Sequence, residues 1–477
     1  MPRHSGRRTF LTGSIAGLAG GIALTSSMGE DAALAQTPAR MPSGRRILLK
    51  GGCVLSLDRA VGDFDRADVL IDGATIAEVK PDITATAQVI DASNTIVMPG
   101  LIDTHRHMWE GPLRNILPNG LLSDYTRDIT GAARDVYRPE DVHIGDLVSA
   151  LGALNAGVTT ILDWSHVGNS PEHTDAAIQG LRDSGIRAVY AYGAGAAGPR
   201  NRFPDDIRRL RRQHFSSGDQ LLTLAMAAGI DARQWAVARE VGAPITVHVN
   251  GANTLMPVAS ALGPDVTCIH CPNLTADEWQ LLAKTGASVS IASPIEMKMG
   301  HGIPPVQQAL DHGIRPSLSV DVETEMPGEL FTQMRTVLTL QRMQLLARER
   351  AGEKNLPKLL TVRDVIEFAT IEGARDNALD RKVGTLTPGK QADVILLRTD
   401  RINVMPINNA YGAVVLGMDT SNVDTVFVAG RIKKWRGDLV GVDLPQIERR
   451  VVAARDYIVA KAGWPNTRLG GYGAGGH

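Results

Sequence analysis

Cysteine is scarce: Cys53, Cys268 and Cys271 are the only three in 477 residues, too few for a disulfide framework even in an oxidising compartment. Stability must come from a hydrophobic core. An excess of one charge is also missing, since 50 Lys and Arg stand against 51 Asp and Glu, so no strong field exists to hold a nucleic acid or an anionic membrane. A small-molecule substrate fits that balance, and a homo-oligomer is compatible with it. Aromatics make up 4% of the chain and do not interleave with basic residues, which removes the remaining argument for a nucleic-acid module. No G-x-G-x-x-G follows the first central strand and no phosphate loop occurs, which disfavours a dinucleotide-binding open sheet. What is present is 43% hydrophobic and 21% charged, a globular composition in a chain about three times the length of one ordinary domain.

The first 35 residues read as an address. Arg7 and Arg8, followed by Thr9, Phe10 and Leu11, open an apolar stretch to Leu24 that is too short and too rich in glycine to be a stable membrane span. Ala33-Leu34-Ala35 has the small-x-small pattern a signal peptidase accepts. The paired arginines resemble a twin-arginine export signal. The expectation is an exported protein, periplasmic or secreted, cleaved after Ala35 and free of the membrane thereafter.

After a linker over 36–44, residues 45–97 read as short strands: 46–50, 68–71, 75–79, 88–91 and 95–97. Similar texture returns only in 384–440, at 392–397 and 424–433, which predicts a small β-sandwich built from both chain ends. Between them, 98–383 alternates apolar runs of strand length with helical patterns, the signature of stacked βα units. Eight runs, 98–107, 158–164, 187–192, 221–227, 245–250, 266–270, 287–292 and 315–321, predict a closed (β/α)8 barrel, an α/β fold. Residues 441–477 read as a C-terminal helix over 442–462 and a Gly-rich tail. Cys268 and Cys271 form a C-x-x-C, but an offset of three on a strand places them on opposite faces, so buried apolar cysteines are expected, not a redox pair.

Reactive side chains of such barrels sit at the carboxyl ends of the strands. His105 and His107 end the first run, His248 lies near the end of the fifth, His270 ends the sixth and Asp321 ends the eighth. Residues two apart on a strand point the same way, so His105 and His107 can aim together at the axis. Imidazoles with one carboxylate suit Zn²⁺ or Fe²⁺ and leave a coordination position for water.

These residues carry a resemblance. Met98-Pro99-Gly100-Leu101-Ile102-Asp103-Thr104-His105-Arg106-His107, Gly157-Val158-Thr159-Thr160, Leu318-Ser319-Val320-Asp321 with Leu330-Phe331 and Met334-Arg335, and Gly384 to Val394 are similar to motifs of the amidohydrolase superfamily, in its branch of cytosine deaminases and triazine hydrolases. The resemblance spans about 45–440. It implies His105, His107, His248 and Asp321 as ligands of one divalent metal, Zn²⁺ or alternatively Fe²⁺. It implies Asp321 as the group that takes a proton from water and His270 as the partner of the developing oxyanion. Two-metal relatives use a lysine on the fourth strand; 221–229 contains none.

One feature departs from that branch. Its deaminases carry a glutamate three residues after the fifth-strand histidine, and here Gly251 stands there. Another group must then protonate a departing amine: Glu296, where relatives have an asparagine, Glu323 or Glu110. The departure favours hydrolysis of a carbon-nitrogen bond in a small cyclic amide, imide or heterocycle. A deaminase with a relocated acid and an inactive barrel that only binds are the alternatives. Trp109, Trp164, His166, Asn250, Glu296 and Glu323 are the candidate substrate-binding residues. Arg106, between two ligands, should point away from the axis into an ion pair, and His143 and His301 are expected in loops or at the surface.

Overall fold

The computed structural model describes residues 41, 42, 44–466 and 468, so the expected signal segment and its cleavage point lie outside the described residues. Among the described residues, no helix is long and apolar enough to cross a membrane.

The first strands are β1 (Arg46–Val54), β2 (Phe64–Asp72), β3 (Thr75–Lys80), β4 (Gln88–Asp91) and β5 (Thr95–Pro99). The chain then builds β6 (Leu101–Arg106), β7 (Val158–Ser165), β8 (Arg187–Gly193), β9 (Leu222–Ala228), β10 (Ile245–Val249), β11 (Val266–His270), β12 (Ser288–Ile291) and β13 (Ser317–Leu318), and returns through β14 (Val394–Arg398), β15 (Val423–Val428), β16 (Arg431–Trp435) and β17 (Asp438–Leu439). Strands β6 to β13 form one parallel sheet in sequence order. It closes where Asp321 N–H donates to His105 O (3.0 Å) and His107 N–H donates to Asp321 O (2.9 Å). This is the expected (β/α)8 barrel with a small additional domain.

The other strands make one mixed sheet, ordered β17-β16-β15-β14-β5-β1-β2-β3 with β4 also paired to β1. Strand β14 lies antiparallel between β5 and β15, pairing Val394 with Pro99 and Phe427. Alternation sorts its faces: Ile47, Leu49, Val69 and Ile71 share a core with Val394, Leu396 and Phe427, while Leu48 and Leu70 pack on Ile83. The buried Arg187 of β8 makes a two-pronged bond to Asp393, Nε to Oδ2 at 2.8 Å and Nη2 to Oδ1 at 2.9 Å, fastening the barrel to this sheet.

Two expectations change. The run 98–107 is two strands broken at Gly100, whose Cβ would fall 2.0 Å from Thr159 Oγ1. Met98 and Pro99 therefore belong to the mixed sheet and only Leu101 onward to the barrel. Cys271 packs beside Cys268 instead of across the strand from it, because His270 and Cys271 take positive φ of 70° and 54° and turn the strand end back. Both thiols are free and buried.

Inside the barrel, Leu162, Trp164, Val189, Ala191, Ala225, Ala227 and Ile269 face the axis, and their neighbours Ile161, Ala188, Tyr190, Leu224 and Met226 face the helices. The register of β6 on β7 advances from Asp103–Ile161 to Arg106–Asp163, one extra residue on β6. That bulge resets the alternation, so Ile102 and the later His105 and His107 all turn inward.

Candidate metal centre

The bulged end of β6 delivers His105 and His107, β10 delivers His248, β11 ends in His270, and Asp321 follows β13. His270 and Asp321 hold φ of 70° and 69°, left-handed backbone that costs a residue with a Cβ and that concentrates at functional sites. By strict alternation His270 would share the outward face of Val266 and Cys268. The left-handed turn swings its ring to the interior, 3.7 Å from Asp321 Oδ2.

Ring nitrogens converge on that carboxylate. His105 Nε2 stands 3.0 Å from Asp321 Oδ1 and 3.2 Å from His248 Nε2, and His107 Nε2 stands 3.4 Å from the same Oδ1. One donor atom each from His105, His248, His270 and Asp321 lies within 4.8 Å of the others, a group that takes in His270 and leaves out His107, which reaches the same carboxylate at 3.4 Å. Burial works against ionisation of Asp321, but His270, His105 and His107 outweigh it and hold the carboxyl well below its usual range. Burial lowers the pKa of His105 and, with His105 beside them, those of His248 and His107, the last to about 3. His270 goes the other way: burial opposes its charge, but Asp321 and Glu296 raise its pKa.

These facts test the fit of a cation. His107 Nδ1–H donates to Trp164 O at 2.8 Å, so neutral His107 presents the lone pair of Nε2 to the anionic Oδ1. Two acceptors facing one another at 3.4 Å call for a positive ion between them. The buried His105 Nδ1 has no hydrogen-bond partner, so that ring is held by its Nε2 end alone. Three imidazoles and a carboxylate are the donor set of zinc or ferrous iron. The residues present fit a bound metal ion.

A cavity of about 220 Å³ opens above them, its wall including His107, His166, His248, Asn250, His270 and Asp321. Of the candidate substrate-binding residues, His166 and Asn250 are in this wall. The other four are placed elsewhere. Trp109 is fully buried beneath it, because the chain leaves β6 in a helical turn, Met108–Leu113, that points the indole into the core against Tyr137. Trp164 packs its ring 4.3 Å from His248 and reaches the site through its carbonyl. Glu296 lies behind His270, accepting from its Nδ1–H (3.1 Å) and from Ala292 N–H (2.8 Å). Glu323 accepts from Ser149 (2.7 Å), Arg114 (3.2 Å) and Arg106 (3.4 Å), away from the cavity. Arg106 itself is buried, with Nε donating to Asp103 Oδ2 at 2.8 Å, the structural ion pair its outward direction predicts.

Two further residues of the wall carry no signal in the sequence. His301 lines the cavity, its ring 4.6 Å from that of His270 and both nitrogens without a partner. Tyr125, from the helical segment beginning at Leu122, also lines it and donates to buried Glu110 Oε1 at 2.5 Å. Neither carries a spacing signal, because Tyr125 comes on the short helix Leu122–Tyr125 and His301 on the connection after helix Ser293–Lys298, and the path of each depends on tertiary packing. Gly251 holds φ of +103° with nothing within 4 Å of a built Cβ, so the missing glutamate is matched by backbone that L residues rarely adopt. Asp321 is the single carboxylate among the described lining residues.

The model of the amidohydrolase family matches residues 96–433. A 5'-deoxyadenosine deaminase of Methanosarcina barkeri is 25% identical over 443 residues, covering 87% of this chain and 99% of its own. A 5-methylthioadenosine/S-adenosylhomocysteine deaminase of Thermococcus kodakarensis is 27% identical over 416 residues, 81% of this chain and 93% of its own. Among solved structures, an adenosine deaminase of Xanthomonas campestris with bound zinc superposes with a TM-score of 0.74 at 19% identity, covering 87% of this chain and 98% of its own. An atrazine chlorohydrolase of Arthrobacter aurescens complexed with zinc gives 0.73 at 22% identity, covering 86% and 100%.

Proposed function

The chain belongs to the amidohydrolase family, and from that premise we propose that it is a mononuclear metal-dependent hydrolase cutting a carbon-nitrogen bond in a small cyclic amide, imide or nitrogen heterocycle. The observation that carries this reading is the neutral His107 Nε2 facing ionised Asp321 at 3.4 Å. His105, His107, His248 and Asp321 would hold the ion, zinc being the metal named with two structural neighbours. When bound, such an ion supplies Lewis acidity that makes water a nucleophile near neutral pH.

The residues of the chain do the rest. Asp321, ionised and in the cavity wall, is placed to accept the proton that the attacking water loses. His270 takes a separate role: Glu296 behind it and Asp321 before it favour the imidazolium, and its ring faces the cavity as a donor to the oxygen on which charge develops. The apolar Leu122, Met299 and Val322 are also in the wall, and among the described lining residues there is no lysine or arginine, which suits an uncharged substrate. The curated relatives quoted above are named as deaminases of adenosine-type compounds. Deamination is the second reading, and the open space at Gly251, in place of the branch's acid, weighs against it.

The experiment is turnover of zinc-reconstituted protein across cyclic amides, imides and aminoheterocycles, following ammonia release and ring opening separately. Ring or amide opening without ammonia is expected, and Asp321→Ala should abolish it in a folded protein. Ammonia with an intact ring would establish the deaminase, and ligand binding without turnover a pure binding protein. We propose export on the strength of Arg7, Arg8 and Ala33-Leu34-Ala35; a mature protein that still begins at Met1 would overturn it.

A further inference from the structure

Resting on that reading of the site, we propose that His166 is a neutral, tautomer-locked hydrogen-bond donor to the substrate and that buried Trp109 is the positioning residue that locks it. Trp109 Nε1–H, which can only donate, meets His166 Nδ1 at 2.9 Å. That nitrogen must carry a lone pair. A doubly protonated ring would set two N–H groups against each other, so geometry alone leaves His166 neutral with its hydrogen on Nε2. On that side stands Tyr125 Oη at 3.4 Å, and the hydroxyl hydrogen of Tyr125 is already given to Glu110 Oε1. The chain of bonds therefore runs one way, from His166 through Tyr125 to Glu110, with Trp109 setting its direction.

The last contact of His166 is long against the usual ~2.9 Å of an N–H···O bond, so the Nε2–H is held in place without being spent. The ring is fixed as well, stacked on His107 at 4.0 Å between centroids and 7° between planes. His166 and Tyr125 both line the cavity that contains Asp321. The wall thus presents a donor beside the reacting position and selects a lone-pair acceptor on the substrate, a carbonyl oxygen or an unprotonated ring nitrogen. An N–H at that place would face another N–H and be rejected, as sites built around one hydrogen bond reject the wrong partner.

The test uses zinc-loaded full-length protein labelled with ¹⁵N-histidine, the His166 signals being those lost in His166→Gln. In the wild type, Nε2 should be the protonated nitrogen and Nδ1 the lone-pair one; in Trp109→Phe, with folding checked by circular dichroism, the two should move towards a tautomer mixture. Kinetically, Trp109→Phe should raise KM and lower kcat/KM about 10-fold. His166→Gln, whose amide nitrogen replaces Nε2 but leaves Trp109 Nε1–H without its acceptor, should lose about 10-fold, while His166→Asn, which reaches only the Nδ1 position, should lose about 100-fold. A proton on Nδ1, an unchanged pattern in Trp109→Phe, or equal losses in the Gln and Asn variants would overturn the proposal. If the wild type turns over nothing in the panel, the functional reading fails and the substrate half of this proposal falls with it. The lock itself is still decided by the nitrogen signals.

Discussion

Replacing Arg106 with methionine removes a buried cation without removing its anions. Its Nε donates to Asp103 Oδ2 at 2.8 Å, Nη2 to Gly328 O at 3.2 Å and Nη1 to Glu323 Oε1 at 3.4 Å, with the guanidinium wholly buried. Methionine matches the stem but leaves Asp103 uncompensated, a situation that costs about 3–5 kcal/mol. Unfolding entropies of about 2.1 cal/mol/K per residue make the melting temperature of a chain this long move by about 1 °C per kcal/mol, so scanning calorimetry should show a fall of about 3–5 °C. The companion change Asp103→Asn tells whether charge is the cause. Asparagine keeps Oδ1 as acceptor for Val320 N–H and His105 N–H while removing the stranded charge, so Arg106→Met with Asp103→Asn should recover more than half the loss. A single variant within 1 °C of wild type, or a double variant no better than the single, would refute the argument.

Glu296→Gln keeps an acceptor for Ala292 N–H and His270 Nδ1–H but loses the charge that favours the imidazolium; kcat should fall about 10–100-fold, the usual scale for a partner behind a site residue, and an unchanged kcat would clear it of that role. A pH effect should come from Asp146 and Asp163, both buried between the barrel and helix Pro139–Asn155. Burial raises both carboxyls; the contact with Asp163 raises Asp146 further, while bonds from Met108 N–H and Asp146 hold Asp163 to about 7. The folded protein therefore keeps a proton that the unfolded chain gives up near pH 4. Stability from this source is full below that pH and is lost as pH rises towards 7. Urea unfolding should show that decline in the wild type and a flatter profile in Asp146→Asn; identical slopes would count against the pair.

The barrel was legible because its strands are apolar runs of the right length with turn residues between them, and because strand ends are where chemistry gathers. His105 and His107 could be paired from a spacing of two alone. What could not be read depends on neighbours far away in sequence. The break at Gly100 exists because Thr159 occupies the space a Cβ would need. The inward turn of His270 comes from a backbone angle and not from alternation, which taken alone predicts the opposite face. Trp109 follows the ligand pair in sequence and is a candidate to touch substrate, but the helical turn after β6 carries it into the core against Tyr137. His301 arrives on a loop and Tyr125 on a short helix, and nothing in their local sequence marks the cavity they reach.

Strand β14 has one further consequence. It fills the slot between β5 and β15, yet the entire barrel is synthesised after β5 and before it. Until the last portion of the chain emerges, β5 keeps a row of bare amide and carbonyl groups on one side, ready to adhere to any extended polypeptide nearby. A copy cut short before Val394 would carry that adhesive seam permanently.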